Sequence, residues 1–403
     1  MSCLHTQAAT RETFDRSRIA AIAAAIGCVT AVGIALSLSI PLLSLEMERM
    51  GVSGTLIGLN TAVAGIASIF AIPFVPRLAA RIGVLPLLWI CVVIAATTLL
   101  AFKALYSFAW WFPLRFVFSA ALGPLFVLSE YWINAAAPPR RRGLVMGIYA
   151  TVLSLGFAAG PGLLTVFGTS GWAPYVAGTA LFGLAALPLL LGRGLSPELR
   201  GRPSRSVASF VVAAPSATIA ALIFGMAETG GFALLPIYGL KLGFDTAAAA
   251  VLVSVLALGN VVFQVPIGIL SDRVDRRRLL LAIAAFGCVA GALIPAVADH
   301  RPALYGLLFV WGGITGAVYT VGLAHLGARF TGTDLASANA AFVLLYSIGL
   351  VVGPPAVGAA MDAVPPHGFA FSLAALFGIY VGIVLWRIRS ARLRLDARGP
   401  IGH

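Results

Sequence analysis

Arg193-Gly194-Leu195-Ser196-Pro197-Glu198-Leu199-Arg200-Gly201-Arg202-Pro203-Ser204-Arg205-Ser206 is the stretch on which the reading of this chain turns. It is polar and arginine-rich, in a chain that is otherwise 60% hydrophobic and only 10% charged. Water-soluble domains carry about 25% charged residues, because a surface facing water needs them. A mean hydropathy of +1.00 therefore puts lipid, not water, around most of the exterior. The polar stretch falls at the midpoint of the 403 residues, with a long apolar region on either side.

Working outward from it, apolar runs bounded by charges or turn residues predict six helices on each side, since one bilayer crossing takes roughly 20 apolar residues. In the first half they lie near 19–43, 54–75, 84–105, 108–134, 143–168 and 173–192. In the second half they lie near 211–237, 246–271, 278–298, 302–326, 335–361 and 368–388. The predicted organisation is a tail over 1–18, a six-helix bundle over 19–192, a linker over 193–210, a second bundle over 211–388 and a tail over 389–403. Ile19 to Leu43 outruns the 7–15 apolar residues of a cleavable signal peptide, so it is read as an uncleaved first span.

The formal charge of +13 raises nucleic acid as a partner, but its distribution argues against one. Of the 27 lysines and arginines, 22 fall in the tails and in alternate loops, four in the opposite loops, and Arg115 within a span. Positive loops stay on the cytoplasmic side. Both termini and the linker are thus expected to be cytoplasmic, in a multi-pass protein of the inner (plasma) membrane.

The two regions also repeat. Arg49-Met50-Gly51-Val52 and Lys241-Leu242-Gly243-Phe244 precede the second and eighth spans at an offset of 192, and Pro76 to Arg81 falls opposite Gly268 to Arg273 at the same offset. Ser154-Leu155-Gly156 with Gly160-Pro161 and Ser347-Ile348-Gly349 with Gly353-Pro354 match at 193. Two six-helix halves of the same orientation form a parallel-repeat transporter architecture.

Gly268-Ile269-Leu270-Ser271-Asp272-Arg273-Val274-Asp275-Arg276-Arg277 resembles the loop signature of the major facilitator superfamily, Gly-x-Leu-Ala-Asp-Arg-x-Gly-Arg-Lys, with Asp275 where the second glycine stands. The resemblance implies a cytoplasmic gate at which Asp272, Arg273 and Arg276 latch the halves together. Plain positive-inside anchoring is the alternative. The first-half copy, Pro76-Arg77-Leu78-Ala79-Ala80-Arg81-Ile82-Gly83, keeps Arg81 as a gate candidate but has Ala80 in the acid's place. Gly156, Gly160 and Pro161, followed by Gly162, resemble the superfamily's antiporter signature, which implies a pivot in proton-driven export. The same pattern at Gly349, Gly353 and Pro354 reads equally as a packing and bending device of the repeat, because small residues four apart let helices approach closely.

Ionisable residues inside spans are functional candidates by default. Glu228 lies well within the seventh span, flanked by Gly225 and Gly230, and is read as a site for proton coupling or substrate contact. Arg115 lies in the outer part of the fourth span, where it suits an anionic group or a charge partner, and Glu130 lies near that span's cytoplasmic end. Fifteen residues at 1.5 Å each hold these two about 22 Å apart, so they do not pair. Glu130 is open to a coupling role or to a gate bridge with Arg81 or the Arg140–Arg142 cluster. Asn260 and Gln264, one turn apart on the eighth span, and Tyr319 and Tyr346 are cavity candidates; interhelical hydrogen bonding and packing are the alternatives.

Arg115-Phe116-Val117, Glu130-Tyr131-Trp132-Ile133-Asn134, Arg142-Gly143, Gln264-x-Pro266-Ile267-Gly268 and Ala338-Asn339-Ala340 are similar to the YcaD-like branch of the superfamily. That likeness implies an all-α membrane fold of twelve transmembrane helices in two six-helix bundles, and transport without a named substrate. No Gly-x4-Gly-Lys-Ser/Thr loop is present, so no ATP-driven engine is expected. The scattered Cys3, Cys28, Cys91 and Cys288 have no metal or disulfide spacing, and no Ser-His-acid cluster forms. The expectation is a monomeric secondary transporter, not an enzyme, without metal or cofactor, embedded in the lipid bilayer. It would move a small organic substrate by alternating access, coupled to protons, with export as one direction. A non-transporting sensor or assembly protein on the same fold is the rival reading.

Overall fold

A computed structural model describes residues 16–52, 54–191, 194–197, 199 and 206–396. Much of the predicted tails and of the predicted linker lies outside these described residues. The first six spans are Arg16–Arg49, Gly54–Ile82, Val84–Ala104, Phe108–Ala136, Arg142–Phe167 and Ala173–Leu191. The second of these is Gly54–Ala71 and Val75–Ile82 joined by a single 3-10 turn, Ile72–Phe74. A short helix, Val207–Ala213, leads into the second six: Pro215–Lys241, Thr246–Arg273, Arg276–Val297, Arg301–Arg329, Gly332–Ala363 and Gly368–Asp396. Among the described residues, eleven helices meet a length-and-apolarity standard for crossing a bilayer. The remaining one, Arg276–Val297, opens on three arginines and carries no charge from Leu279 to Val297. It packs with the tenth and twelfth spans.

Both halves pack alike. The first span lies against the fifth, the second against the fourth, and the third against the sixth; the seventh against the eleventh, the eighth against the tenth and the ninth against the twelfth repeat this set. Turns obey the same relation: Gly51 and Gly243 both hold positive φ, at 76° and 81°, where a side chain would be strained. One departure from the repeat has a clear cause. Gly83 takes φ 94° between the second and third spans, whereas Asp275, its counterpart, holds φ −61° and accepts a hydrogen bond from Arg278 N at 2.9 Å. Asp275 is thus the N-cap of the ninth span, a task that needs a side-chain oxygen and no left-handed backbone.

Small residues set the helix crossings. A side chain on Gly160 would meet Ile34 O at 2.8 Å and Leu38 N at 2.8 Å on the first span, and one on Gly353 would meet Met226 O at 2.5 Å on the seventh. Gly156 and Gly349 abut the same two partner helices. The duplicated glycines therefore sit at corresponding helix crossings in the two halves.

The two halves are not symmetrical in depth of contact. One buried core unites the first half with Ala214, Ala217 and Ala221, with Leu323, Ala324 and Leu326, and with Leu335 to Val343. Those second-half segments all lie at the arginine-rich face. The other core lies wholly within the second half. The halves are thus fused at the arginine-rich end.

Candidate functional site

The seam at that end is built on glycine. Side chains on Gly143 or Gly268 would collide with one another's backbone, and one on Gly147 would meet Gln264 O at 2.6 Å, so the fifth and eighth spans cross almost backbone to backbone. This contact brings Asp272, at the end of the eighth span, over the first turn of the fifth. Its Oδ1 accepts from Gly143 N at 2.7 Å and its Oδ2 from Leu144 N at 2.9 Å. A carboxylate there satisfies donors that the helix leaves free and sits at the positive end of its dipole. Arg276 Nη2 holds the same carboxylate at 2.8 Å. Arg273 and Arg81 are exposed and, among the described residues, make no hydrogen bond or ion pair. Of the predicted gate residues, the structure brings together Asp272 and Arg276 only.

Deeper in the bundle, Glu130 is fully buried and bridges the halves by a route that the sequence did not suggest. Its Oε1 accepts from Tyr149 Oη at 2.8 Å, in its own half, and from Tyr319 Oη at 2.5 Å, in the other. The Arg81 or Arg140–Arg142 bridge open at the sequence level is not formed. Glu130 stands six residues, about 9 Å, above the end of its helix. Asn134, one turn further on, donates Nδ2 to Leu323 O at 2.8 Å, again across the seam. Above Tyr319 lie Tyr346 and Phe224, with ring centroids 5.5 Å (Tyr319–Tyr346), 5.4 Å (Phe224–Tyr319) and 6.0 Å (Phe224–Tyr346) apart. Tyr346 Oη donates to Glu228 Oε2 at 2.7 Å. Two carboxyl groups, one per half, are therefore linked by a cluster of aromatic rings. Glu130 is sealed, while Glu228, Tyr319 and Tyr346 remain partly exposed.

Asn260 and Gln264 belong to the second half's own polar network. Gln264 Nε2 donates to Asn260 Oδ1, and Thr320 Oγ1 donates to Gln264 Oε1. Asn260 and Glu228 both border a cavity of about 20 Å³ with Trp311 and Phe232, room for one water. Arg115 is 3% exposed and stands apart from all of these.

The residues that the sequence missed are Tyr149, Asn134, Gly143 and Gly147 in this setting. A single polar or small residue in an apolar run has no distinguishing local signal. Gly143 and Gly147, four apart, carried the one usable hint.

Among the described residues, an all-helical, internally repeated membrane fold with a two-half seam is an architecture that many secondary transporters share. Residues 25–258 and 217–400 each match the Major Facilitator Superfamily model, and the chain belongs to that family. It is 27% identical over 368 residues to the uncharacterized MFS-type transporter YfkF of Bacillus subtilis (strain 168), covering 89% of this chain and 93% of that one. It is 25% identical over 279 residues to the uncharacterized MFS-type transporter YcaD of Escherichia coli O9:H4 (strain HS), covering 68% and 72%. Among solved structures, the transporter FucP in the outward conformation aligns with a TM-score of 0.77 at 16% identity, over 92% of this chain and 99% of that one. At such identity the likeness speaks for the fold.

Proposed function

We propose that this chain is a proton-coupled secondary transporter of a small organic molecule, with its arginine-rich face and both termini cytoplasmic in a bacterial-type inner membrane. Glu228 carries this reading. It is a partly exposed carboxyl group in the middle of the seventh span, held by Tyr346 Oη at 2.7 Å and by no cation among the described residues. Such a group can take up a proton when the cleft faces one side and release it when the cleft faces the other. Its one hydrogen bond runs to the eleventh span, so its charge state acts directly on the packing of the seventh span against the eleventh.

The gate is the seam already described. Opening toward the arginine-rich face must break the hydrogen bonds of Asp272 to Gly143 N and Leu144 N, of Tyr319 to Glu130 and of Asn134 to Leu323 O. Substrate and proton drive that step only as far as they bind the opened state better than the closed one.

The test is proton flux in proteoliposomes across a compound panel, comparing wild type with Glu228→Gln. The expected outcome is substrate-evoked flux in the wild type, its sign giving the direction of transport, and no coupled proton movement in the variant. Flux unchanged by Glu228→Gln would sink the coupling assignment. Silence of both proteins toward every compound would favour a sensor or assembly role on the same fold.

A further inference from the structure

We infer that the arginine-rich ends of the ninth, tenth and twelfth spans together form a binding site for the headgroup of an anionic phospholipid. The inference concerns the outer wall of the second half, and it holds whether or not Glu228 carries a proton.

Three guanidinium groups converge there from three helices. Arg277 is the second residue of the ninth span, Arg329 the last of the tenth, and Arg387 lies near the end of the twelfth. The ninth span packs against both of the others. The charges of Arg277 and Arg387 both act on Arg329 as repulsion. Among the described residues, none of the three makes a hydrogen bond or an ion pair. Two acids border the cluster, and both are engaged: Asp272 at the seam and with Arg276, Asp275 as the cap of the ninth span. His325 stands one turn before Arg329, on the same face of the tenth span. It is 7% exposed, its Nε2 is enclosed without a partner, and the charges of Arg276, Arg277 and Arg329 reach it.

An arginine standing free in water needs no partner, and the exposed Arg273 and Arg278 are of that kind. Arg277 and Arg387 are half-buried, so they have given up part of their hydration and meet like charge in its place. A guanidinium keeps its proton, so only a counterion relieves that repulsion. The surroundings favour a lipid over a free ion. Trp386, next to Arg387, is 62% exposed, with its ring 5.7 Å from that guanidinium. A tryptophan so placed marks the level of the headgroups. Leu385 beside it and Ile379, two turns deeper, are exposed apolar side chains, a lane for an acyl chain below the phosphate. Basic pockets between helix ends are a form in which membrane proteins hold anionic headgroups, and guanidinium forks suit phosphate oxygens two at a time. One phosphate among these arginines would also tie the ends of three helices together.

The test uses the purified full chain, stripped of lipid in detergent, with native mass spectrometry counting the lipids retained. The probes are phosphatidylglycerol and phosphatidylcholine with the same acyl chains, and glycerol phosphate as a soluble competitor. The wild type should retain phosphatidylglycerol about tenfold or more in preference to phosphatidylcholine. Arg329→Gln and Arg387→Gln should each cut that preference about fivefold, the effect of one cation at a charged membrane surface. Arg278→Gln, which removes the same charge from an exposed position beside Arg277, should leave it nearly unchanged. Equal retention of the two lipids would overturn the inference. So would an effect of Arg278→Gln equal to that of Arg329→Gln, because general positive charge would then suffice. Displacement of phosphatidylglycerol by glycerol phosphate at the same concentration would assign the cluster to a soluble phosphate compound and overturn the lipid. Arg329 is exposed, so its replacement spares the packing; should Arg387→Gln fail to fold, Arg329→Gln decides alone.

Discussion

Two helix starts at the arginine-rich face are related by the internal repeat yet are held in opposite ways. The fifth span has no acid in its first turn, and its N-cap Arg141 does not cap the helix with its side chain. Its carboxylate comes from the other half, as Asp272. The eleventh span carries its own acid, Asp334, in the first turn. Opposite it, the second span ends with Ala80 at the place that corresponds to Asp272. One start is therefore complemented in trans and loses its acid when the halves part; the other keeps its acid in every state. The lesson is that a repeated fold need not have repeated contacts at its seams. Among the described residues, the carboxylate of Asp272 complements a helix start of the other half, and Ala80, its counterpart, has no carboxylate to do the same.

That contrast can be broken experimentally, most severely through its steric base. Gly143→Val should hold the seam open, because the added carbons would meet the backbone of Gly268. Distances between spin labels at Arg140→Cys and Arg278→Cys, in a background without the native cysteines, should lengthen and stop responding to ligand. Asp272→Asn should act next. It removes a charge from two hydrogen bonds and a helix dipole, worth about 2 kcal/mol together, so the open population should rise roughly thirtyfold in the same measurement. Tyr319→Phe deletes one cross-seam bond and should shift the same equilibrium by about 1 kcal/mol, with Tyr149→Phe, whose bond stays within one half, shifting it less. Asp334→Asn sharpens the comparison by its small effect. It should cost about 0.5 kcal/mol of stability and leave the label distances unchanged, since Asp334 complements the start of its own helix. A shift equal to that of Asp272→Asn would show that both seams are latched after all.

Much of the architecture was legible without coordinates. Gly51 and Gly243, the linker at the midpoint and the doubled Gly-x3-Gly-Pro pattern located the halves, because turns and span ends leave local traces. A motif singled out Asp272 and Arg276, which the structure does pair, although it did not reveal that the carboxylate's partner across the seam is a helix start rather than a side chain. Glu130 was singled out as an acid inside a span, with a coupling role and a bridge to nearby arginines both open, and the structure pairs it with tyrosines instead. Its three nearest basic neighbours in sequence, Arg140 to Arg142, were the obvious choice. The actual partner across the seam, Tyr319, lies 189 residues away. Tyr149 left no trace, and Asn134 none beyond its place in a family-like stretch, since one polar side chain in a lipid-solvated helix looks the same whether it faces a partner, a cavity or the interior of its own half.

The sequence by itself determined that the chain is an all-helical membrane protein built on an internal repeat. Those properties follow from what solvates each segment, which is written locally in hydropathy and charge. Only the tertiary structure decided which polar groups meet: Asp272 with the backbone of Gly143 and Leu144, Tyr319 with Glu130, Tyr346 with Glu228, and Arg115 with no partner among the described residues. The physical reason is that these helices are apolar on nearly every side, so their sequences do not say which side turns inward. Close packing at glycines fixes the rotation of each helix, and that rotation chooses the partners.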